Sequence, residues 1–368
     1  MSSLLHLAAA LDQPDVHDAG SYVELARLAE RGGLDFVTLD DSPDPSGPDA
    51  LAVLCRVAPA TRRIGLVPTL TTTPTAPYRV PAAVAALDRV GRGRAGWRVD
   101  VSGGAEEARP SGGRAVTPDG TARFVPGEAT GSAAGPWEGR WAGRDDGTAA
   151  GPWGGEVVRN PAGGPLPGHG RAHPAGSTAT ALQDRGPTPL PGPAPGDCVR
   201  VVDATDERTW NGAALHADVA LVRAATPARA AAVRDGLRAR AAVHGRRPDA
   251  LRVLVSLLVD LGDGEYAAEP GHGGGGPRPT ARGPLYRGGP VDLAELVGSW
   301  HAAGVTDGFH LLPAEPRRDL ERLVNGTVAL LQHRGLFRTF YPGGTLREHL
   351  GLAAPAYRTG PRGTAEHR

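Results

Sequence analysis

The stretch that decides the fold runs from IGLVPTLTTT (residues 64–73) to RAGWRVDVS (residues 94–102). Its first four residues are apolar and end at Pro68, which is typical of a short buried strand. Between residues 78 and 90, apolar side chains recur at helical spacing, and Gly91 follows them. A strand, a helix and a second strand joined by short links predict one βαβ unit of an α/β protein.

The same alternation of strand and helix patterns continues on both sides of this unit. The further predicted strands cover residues 4–10, 34–39, 199–202, 218–222, 251–259 and 307–312, and the further helices cover 21–31, 48–60, 207–215, 227–244, 290–303 and 317–334. An open doubly wound sheet usually carries a GxGxxG turn after its first strand, and this chain has none. We therefore predict an α/β fold, a TIM-like (β/α)8 barrel with Gly/Pro-rich insertions, formed as a single domain by residues 1–352.

Two internal segments interrupt this alternation. Residues 103–197 are rich in Gly and Pro and have little apolar periodicity, which predicts a low-complexity insert. Within it, Trp137 and Trp141 lie one helical turn apart, which favours a short amphipathic helix packed on the barrel over a ligand-stacking role. Residues 269–289 contain four consecutive glycines and are predicted to be a mobile loop, and residues 353–368 a disordered tail.

Composition excludes several functional classes. The 40 basic and 40 acidic side chains give a formal net charge of zero, so no global field attracts nucleic acid or an anionic membrane. Two cysteines, Cys55 and Cys198, cannot form a disulfide framework. No apolar run reaches the length of a membrane span, and the N-terminus lacks the features of a signal peptide. We expect a soluble cytoplasmic protein that acts on a small molecule.

Acidic side chains follow the second predicted strand directly. Asp40 and Asp41 come after residues 34–39, and active sites of parallel barrels gather at the carboxyl ends of the strands. These two residues are therefore candidates for the site, with a helix-capping or turn role as an equally good alternative.

Histidines offer weaker candidates. His6 and His310 lie on the first and last predicted strands, where a histidine is more often a satisfied core residue than a catalytic one. His169 and His173 are four residues apart on a Gly/Pro-rich loop without carboxylates nearby in the sequence, so we predict no metal site.

Several short motifs carry a resemblance to a known family. They include GLDFV (33–37), GRAGW (93–97), AGVTDGF (303–309), LLQHRGLFR (330–338) and TLREHL (345–350). The chain resembles the luciferase-like two-component flavin monooxygenases, in the branch that holds nitrilotriacetate, dibenzothiophene sulfone and long-chain alkane monooxygenases. The resemblance covers both ends of the chain and leaves the insert unmatched.

This resemblance implies a barrel that binds reduced FMN delivered by a separate flavin reductase. It implies that the enzyme uses O2 to oxygenate a small apolar organic substrate in an apolar barrel mouth, and that the chain forms a homodimer. The cofactor then supplies the oxygen chemistry, while the protein supplies position and a dry pocket. Carried over residue by residue, Asp41, Thr71 and Ser102 line the flavin, and Asp206 stands where the family has the serine that holds the flavin phosphate.

The chain departs from the family pattern at several positions. Arg98 replaces an expected asparagine, Gly103 an expected histidine, and Phe124 lacks the hydroxyl of an expected tyrosine, so the resemblance assigns no catalytic residue. A carboxylate at Asp206, about 4 Å from a phosphate, would repel it by about 4 kcal/mol per unit charge at an effective dielectric near 20. Its simpler role is the N-cap of the helix predicted at 207–215.

Three functional hypotheses follow from these observations. The first is a flavin-dependent monooxygenase whose pocket has changed but still works, with arginines such as Arg98 holding the phosphate. The second is a flavin-free relative that performs non-redox chemistry such as a cyclisation or an elimination. The third is a silent binding subunit. The sequence does not name the substrate.

Overall fold

The computed structural model describes residues 5–13, 18–41, 49–71, 79–100, 173–176, 185–188, 198–262 and 276–353. Twelve strands lie in these ranges: β1 (His6–Ala10), β2 (Phe36–Leu39), β3 (Gly65–Thr71), β4 (Gly96–Asp100), β5 (His173–Gly176), β6 (Arg185–Thr188), β7 (Val199–Asp203), β8 (Val219–Val222), β9 (Arg252–Asp260), β10 (Arg278–Thr280), β11 (Gly283–Arg287) and β12 (Gly308–Pro313). Eight of them close into a parallel barrel in the order β1, β2, β3, β4, β7, β8, β9 and β12. The predicted TIM-like barrel is confirmed.

Nine helices lie in the described ranges, and all but the last of them pack around the outside of this barrel. They are α1 (Ala19–Arg31), α2 (Ala50–Val57), α3 (Arg79–Gly91), α4 (Trp210–His216), α5 (Pro227–Val243), α6 (Pro290–Ala302), α7 (Pro316–Arg322), α8 (Ala329–His333) and α9 (Leu346–His349). The helix predicted at 317–334 is divided, because a π-helical segment, Leu323–Val328, joins α7 to α8. Within the described ranges, no helix combines the length and the apolar character that a bilayer crossing requires.

Apolar side chains fill the middle of the barrel. The interior cluster contains Ala8, Phe36, Val67, Val199, Val201, Val219, Leu221 and Leu254, together with Leu346 of α9 and Leu350 directly after it. In β7 and β8, which contribute two residues each, these residues are two positions apart, as side chains that point to one face of a strand must be. A second, larger cluster packs the outer faces of the strands against the helices.

The short helix α9 closes the amino-terminal end of the barrel. A capping box between Thr345 and Glu348 starts this helix, and the Leu346 backbone nitrogen donates to the Gly93 carbonyl at 3.1 Å. A Cβ atom at Gly65 would lie 2.6 Å from Leu346 Cδ1, and one at Gly96 would lie 3.3 Å from Leu346 Cδ2. The two strand glycines therefore make room for the leucine of the TLREHL motif.

A buried ionic network lies beside this plug. The Asp35 side chain is fully buried and lies 3.1 Å from His6 Nδ1 and 2.6 Å from Arg338 Nη2. Its other oxygen accepts from the Leu7 backbone nitrogen at 2.7 Å. Burial raises the pKa of Asp35, but the charges and hydrogen bonds of His6 and Arg338 outweigh it and hold that pKa below its usual value. The network ties the C-terminal segment to the first two strands.

The structure corrects one part of the predicted loop at 269–289. Strands β10 and β11 form an antiparallel hairpin in which Pro279 lies opposite Pro284, and β11 extends the sheet along β9. Prolines obscured the strand pattern in the sequence, and an edge hairpin tolerates them because it needs fewer ladder donors. Residues 263–275 lie outside the described ranges.

Most of the predicted insert at 103–197 also lies outside the described residues, as do Trp137, Trp141 and the tail from residue 354. Within the insert, the described strands β5 and β6 pair antiparallel with each other, with His173 opposite Thr188.

Candidate active site at the carboxyl end of the barrel

Polar side chains form a ring above the apolar middle of the barrel. We call this set the mouth ring: Asp12, Thr38, Asp40, Thr69, Arg98, Asp203, Arg223, Ser256 and His310. Asp12, Asp40, Asp203 and Arg223 lie at or just beyond the carboxyl ends of their strands, the end at which parallel barrels place their chemistry, and the other members lie within their strands. The described wall of the mouth is therefore polar and charged, whereas the resemblance implied an apolar mouth.

Asp40 contacts three other members of this ring, Asp12, Thr69 and Arg98. The same oxygen, Oδ1, accepts from Thr69 Oγ1 at 2.8 Å and from Arg98 Nη2 at 2.5 Å. Burial raises the pKa of Asp40, but the charge of Arg98 and the hydrogen bond from Thr69 outweigh it and lower that pKa. Asp40 is therefore a fixed carboxylate, and Arg98 is its counter-ion.

Asp12 lies next to Asp40, and its pKa is shifted in the opposite direction. The Asp40 backbone nitrogen donates to Asp12 Oδ1 at 3.0 Å, which brings two carboxyl groups together. Part of Asp12 reaches solvent, but the protein atoms around its carboxyl, and then the negative charge of Asp40, raise the pKa of Asp12 to about 6. Near neutral pH, the mouth therefore holds one carboxyl group that can gain or lose a proton.

His310 forms a buried, neutral part of the ring. Its Nε2 lies 2.9 Å from Thr38 Oγ1 and its Nδ1 lies 3.2 Å from Ser256 Oγ. Burial, and then the charge of Arg98, lower the pKa of His310 to about 3. A hydroxyl can donate or accept, so either tautomer of the neutral ring is satisfied by these two neighbours. His310 points into the barrel as a satisfied core histidine.

The residues predicted to line a flavin have different positions. Asp41 Oδ1 lies 3.5 Å from the Ala50 backbone nitrogen at the start of α2, whereas its neighbour Asp40 joins the mouth ring. Thr71 pairs with Asp100 in the β3–β4 ladder, and its side chain lies outside the part of the chain that the structure describes. Ser102 lies outside the described residues. Flavin contact by these three residues stays a prediction.

Asp206 caps a short turn, as its simpler interpretation predicts. It precedes the 3-10 turn Glu207–Thr209, and its Oδ1 accepts from the Arg208 backbone nitrogen at 2.9 Å. Its Oδ2 accepts from Arg208 Nη2 at 2.5 Å, so the carboxylate already has a counter-ion. The Thr209 nitrogen donates to the Asp206 carbonyl, and the Thr205 nitrogen to Asp203 Oδ1. Donors that could hold a phosphate are thus used within the protein.

Sequence reasoning missed Asp12 as a site residue. Asp12 follows β1 by two positions, so the rule that selected Asp40 and Asp41 as strand-end acids could have selected it too. Its pairing with Asp40 depends on the parallel register of β1 and β2, which cannot be deduced from the sequence. Across the described parts of the chain, no group of three or more His, Cys, Asp or Glu side chains is arranged to hold a metal ion.

Comparison with known proteins identifies relatives of this chain. The family model described as luciferase-like monooxygenase matches residues 2–124. Nitrilotriacetate monooxygenase component A of Aminobacter aminovorans is 27% identical, with 92% of this chain and 91% of the relative covered. The chain is therefore similar to luciferase-like monooxygenases. The predicted resemblance and the prediction of an enzyme are confirmed.

Other relatives agree with this result. N-acetyl-S-(2-succino)cysteine monooxygenase of Bacillus subtilis strain 168 is 25% identical, with 96% of this chain and 95% of the relative covered. The solved structure of EDTA monooxygenase from Chelativorans sp. BNC1 superposes with a TM-score of 0.75 at 20% identity, covering 95% of this chain and 98% of that one. At that identity the superposition shows a shared barrel fold.

The two parts of the site fit a flavin to different degrees. Thr69, Asp40 and Arg98 offer hydrogen-bonding groups to the polar edge of a ring in the mouth. The turn at Asp206 does not fit a phosphate, because the Arg208 guanidinium and the Arg208 backbone N–H both already donate to the Asp206 carboxylate. The turn that the resemblance implied as the phosphate anchor therefore has its donors engaged within the protein.

Proposed function

We propose that the chain is a flavin-dependent monooxygenase that uses reduced FMN and O2 to oxygenate a small organic substrate. The observation that carries this proposal is the similarity to nitrilotriacetate monooxygenase component A over nine-tenths of both chains. The word component in that name supports a separate reductase as the source of reduced flavin. The closed turn at Asp206 favours a flavin that is bound weakly and exchanged, over one that is held permanently.

The substrate in this proposal carries polar groups. The described mouth ring contains three carboxyl groups, two guanidinium groups and several hydroxyls, which would be poorly satisfied against a purely apolar molecule. Two of the relatives described above are named for polar, carboxyl-bearing compounds. We therefore propose a polar organic substrate in place of the apolar one expected from the resemblance.

Flavin binding tests this proposal directly. The purified chain is titrated with FMN, and separately with reduced FMN without oxygen, following flavin fluorescence or absorbance. Asp206→Ser should tighten binding by about tenfold, or about 1.4 kcal/mol, because it removes a negative charge while serine still caps the turn. The effect is smaller than the bare repulsion because Arg208 already offsets that charge.

A matched control is available at the opposite end of the barrel. Asp249 lies beside Arg247 at the same two-residue spacing, in a turn before β9, and both residues are exposed. Asp249→Ser should leave flavin affinity unchanged. A dissociation constant weaker than about 1 mM for both flavin forms would contradict the proposal. With a reductase present, product should carry one oxygen atom from labelled O2.

One observation favours a second candidate function. A carboxyl group with a pKa of about 6 beside a fixed carboxylate is suited to general acid–base catalysis, which needs no flavin. A flavin-free enzyme that catalyses a cyclisation or an elimination would use the same mouth ring. Turnover that continues without oxygen and without a reductant would favour this second function over the first.

A further inference from the structure

The charges of the mouth ring are not evenly paired. Arg98 contacts Asp40 at 2.5 Å, and Arg223 lies 3.9 Å from Asp203. Asp12 makes no ion pair within 4 Å in the described part of the chain. Its carboxyl oxygen Oδ1 accepts instead from the backbone N–H of Asp40 at 3.0 Å.

The groups around Asp12 explain why it differs from Asp40. From β2, the Asp40 carboxylate repels a negative charge on Asp12, and from β4, Arg98 attracts it less strongly. Arg98 donates to Asp40, and no ion pair joins it to Asp12 among the described residues. From β12, His310 stays neutral and supplies no charge. Arg98 therefore neutralises the charge of Asp40, and the adjacent Asp12 carboxyl holds its proton more readily.

We propose that Asp12 is the general acid–base residue of this mouth. As a base, its carboxylate takes a proton from an O–H, N–H or C–H group of the bound molecule: an O–H bond forms on Asp12, and the bonding electron pair stays on the substrate atom. As an acid, the carboxyl returns that proton to a developing negative charge. Asp40 is the positioning residue, because its backbone N–H holds Asp12 and its charge favours the protonated form.

The other ring members do not fit this role. Asp40 is fixed as a carboxylate by Thr69 and Arg98. His310 is only 2% exposed and its two ring nitrogens are both engaged. Asp12 combines contact with solvent, a location at the carboxyl end of β1 and a neighbouring like charge. The inference rests on the proposed function for the location of the site, and it applies equally to a reaction with or without flavin.

A neutral diazoacetamide probes this property without any substrate or flavin. A protonated, accessible carboxyl group transfers its proton to the diazo carbon, N2 leaves, and the carboxylate oxygen forms an ester with that carbon. Labelling at pH 6 is located by proteolysis and tandem mass spectrometry. About half of Asp12 should be protonated at this pH, against about one-hundredth of an ordinary aspartate, so Asp12 should react several tens of times faster.

Three variants make the result decisive. Asp12→Asn should remove this label, and Asp235→Asn, at an exposed helix position, should leave it unchanged. Asp40→Asn should slow labelling of Asp12 by about tenfold, because the like charge disappears and Arg98 becomes available to pair with Asp12. Raising the pH from 6 to 8 should slow wild-type labelling by roughly fiftyfold to a hundredfold.

Labelling of Asp12 no faster than that of Asp235 at pH 6 would overturn the inference. Unchanged labelling in a folded Asp40→Asn variant would overturn the role given to Asp40. Because the assay contains no flavin, its failure is distinct from failure of FMN to bind, which would contradict the proposed monooxygenase and leave the assignment of Asp12 intact.

Discussion

The two ends of the eight-stranded barrel differ in how completely their charged side chains are paired. At the amino-terminal end, α9 plugs the opening with Leu346, and Asp35 is fully buried with His6 and Arg338 against it. At the carboxyl end, Asp40 has a counter-ion, while Asp12 beside it has none among the described residues. The first end is closed and its charges are paired, and the second end keeps a group that can exchange a proton.

This difference separates stability from chemistry within one barrel. Parallel barrels place catalysis at the carboxyl ends of their strands, so pairing at the opposite end can be complete without cost to function. Perturbed pKa values at the mouth point to a functional site, whereas the lowered pKa of Asp35 reflects a structural ion network. The following predictions test that division.

Breaking the buried network should have the largest effect on stability. Asp35→Asn should lower the free energy of unfolding by about 3–5 kcal/mol, because it leaves His6 and Arg338 near a buried group that no longer carries a charge. Denaturant unfolding at pH 7 measures this loss. The pKa of Asp35 is lowered on folding, so the network stabilises the protein above pH 3.8 and its contribution disappears as the pH falls through the folded-state pKa.

The control for this variant is an exposed ion pair. Glu24 and Arg317 lie 2.6 Å from each other with side chains 61% and 69% exposed. Glu24→Gln should change the free energy of unfolding by less than about 1 kcal/mol. Equal losses for the two variants would contradict a special role for the buried network.

Truncating the leucine that fills the amino-terminal end of the barrel should have the next largest effect on stability. Leu346→Ala should destabilise the protein by about 3 kcal/mol, because it leaves a cavity between Gly65 and Gly96 that these rigid strands cannot close. Val243→Ala, at a position that is 84% exposed, should have an effect near zero. Thermal and denaturant unfolding compare the two, and flavin affinity should be unchanged in both folded variants.

Removing the cap of the plug helix should have a smaller effect. Thr345→Ala should destabilise the protein by about 1 kcal/mol, because the Glu348 backbone nitrogen loses its acceptor. Thr345→Ser keeps the hydroxyl and should retain most of the stability. If the alanine and serine variants unfold at the same denaturant concentration, the capping box contributes nothing.

The smallest expected effect is at the mouth. The pKa of Asp12 is raised from 3.8 to about 6 on folding, so its protonation stabilises the protein below pH 3.8 and this contribution is lost as the pH rises through 6. Asp12→Asn should therefore gain stability relative to wild type between pH 4 and pH 8, by about 1 kcal/mol or less because the side chain is partly in solvent. Parallel unfolding curves at both pH values would contradict the raised pKa.

Much of the barrel could be predicted from the sequence. The apolar run at 64–67, the helical spacing from 78 to 90 and the following strand reproduce β3, α3 and β4 within a few residues. These patterns are local, because the period of side chains along a strand or helix is set within the element itself. The hairpin at 278–287 was missed because its prolines and glycines weaken the same local signal.

The sequence by itself determined the type of fold and the end of the barrel at which acids should gather. Only the tertiary structure decided that Asp40 and not Asp41 faces Arg98, that Asp12 lies beside Asp40, and that Asp35 meets a residue some 300 positions away. Charges act across space, so their pairing depends on strand register and on where distant segments pack. Neither the strand register nor the packing of distant segments can be deduced from a local sequence pattern.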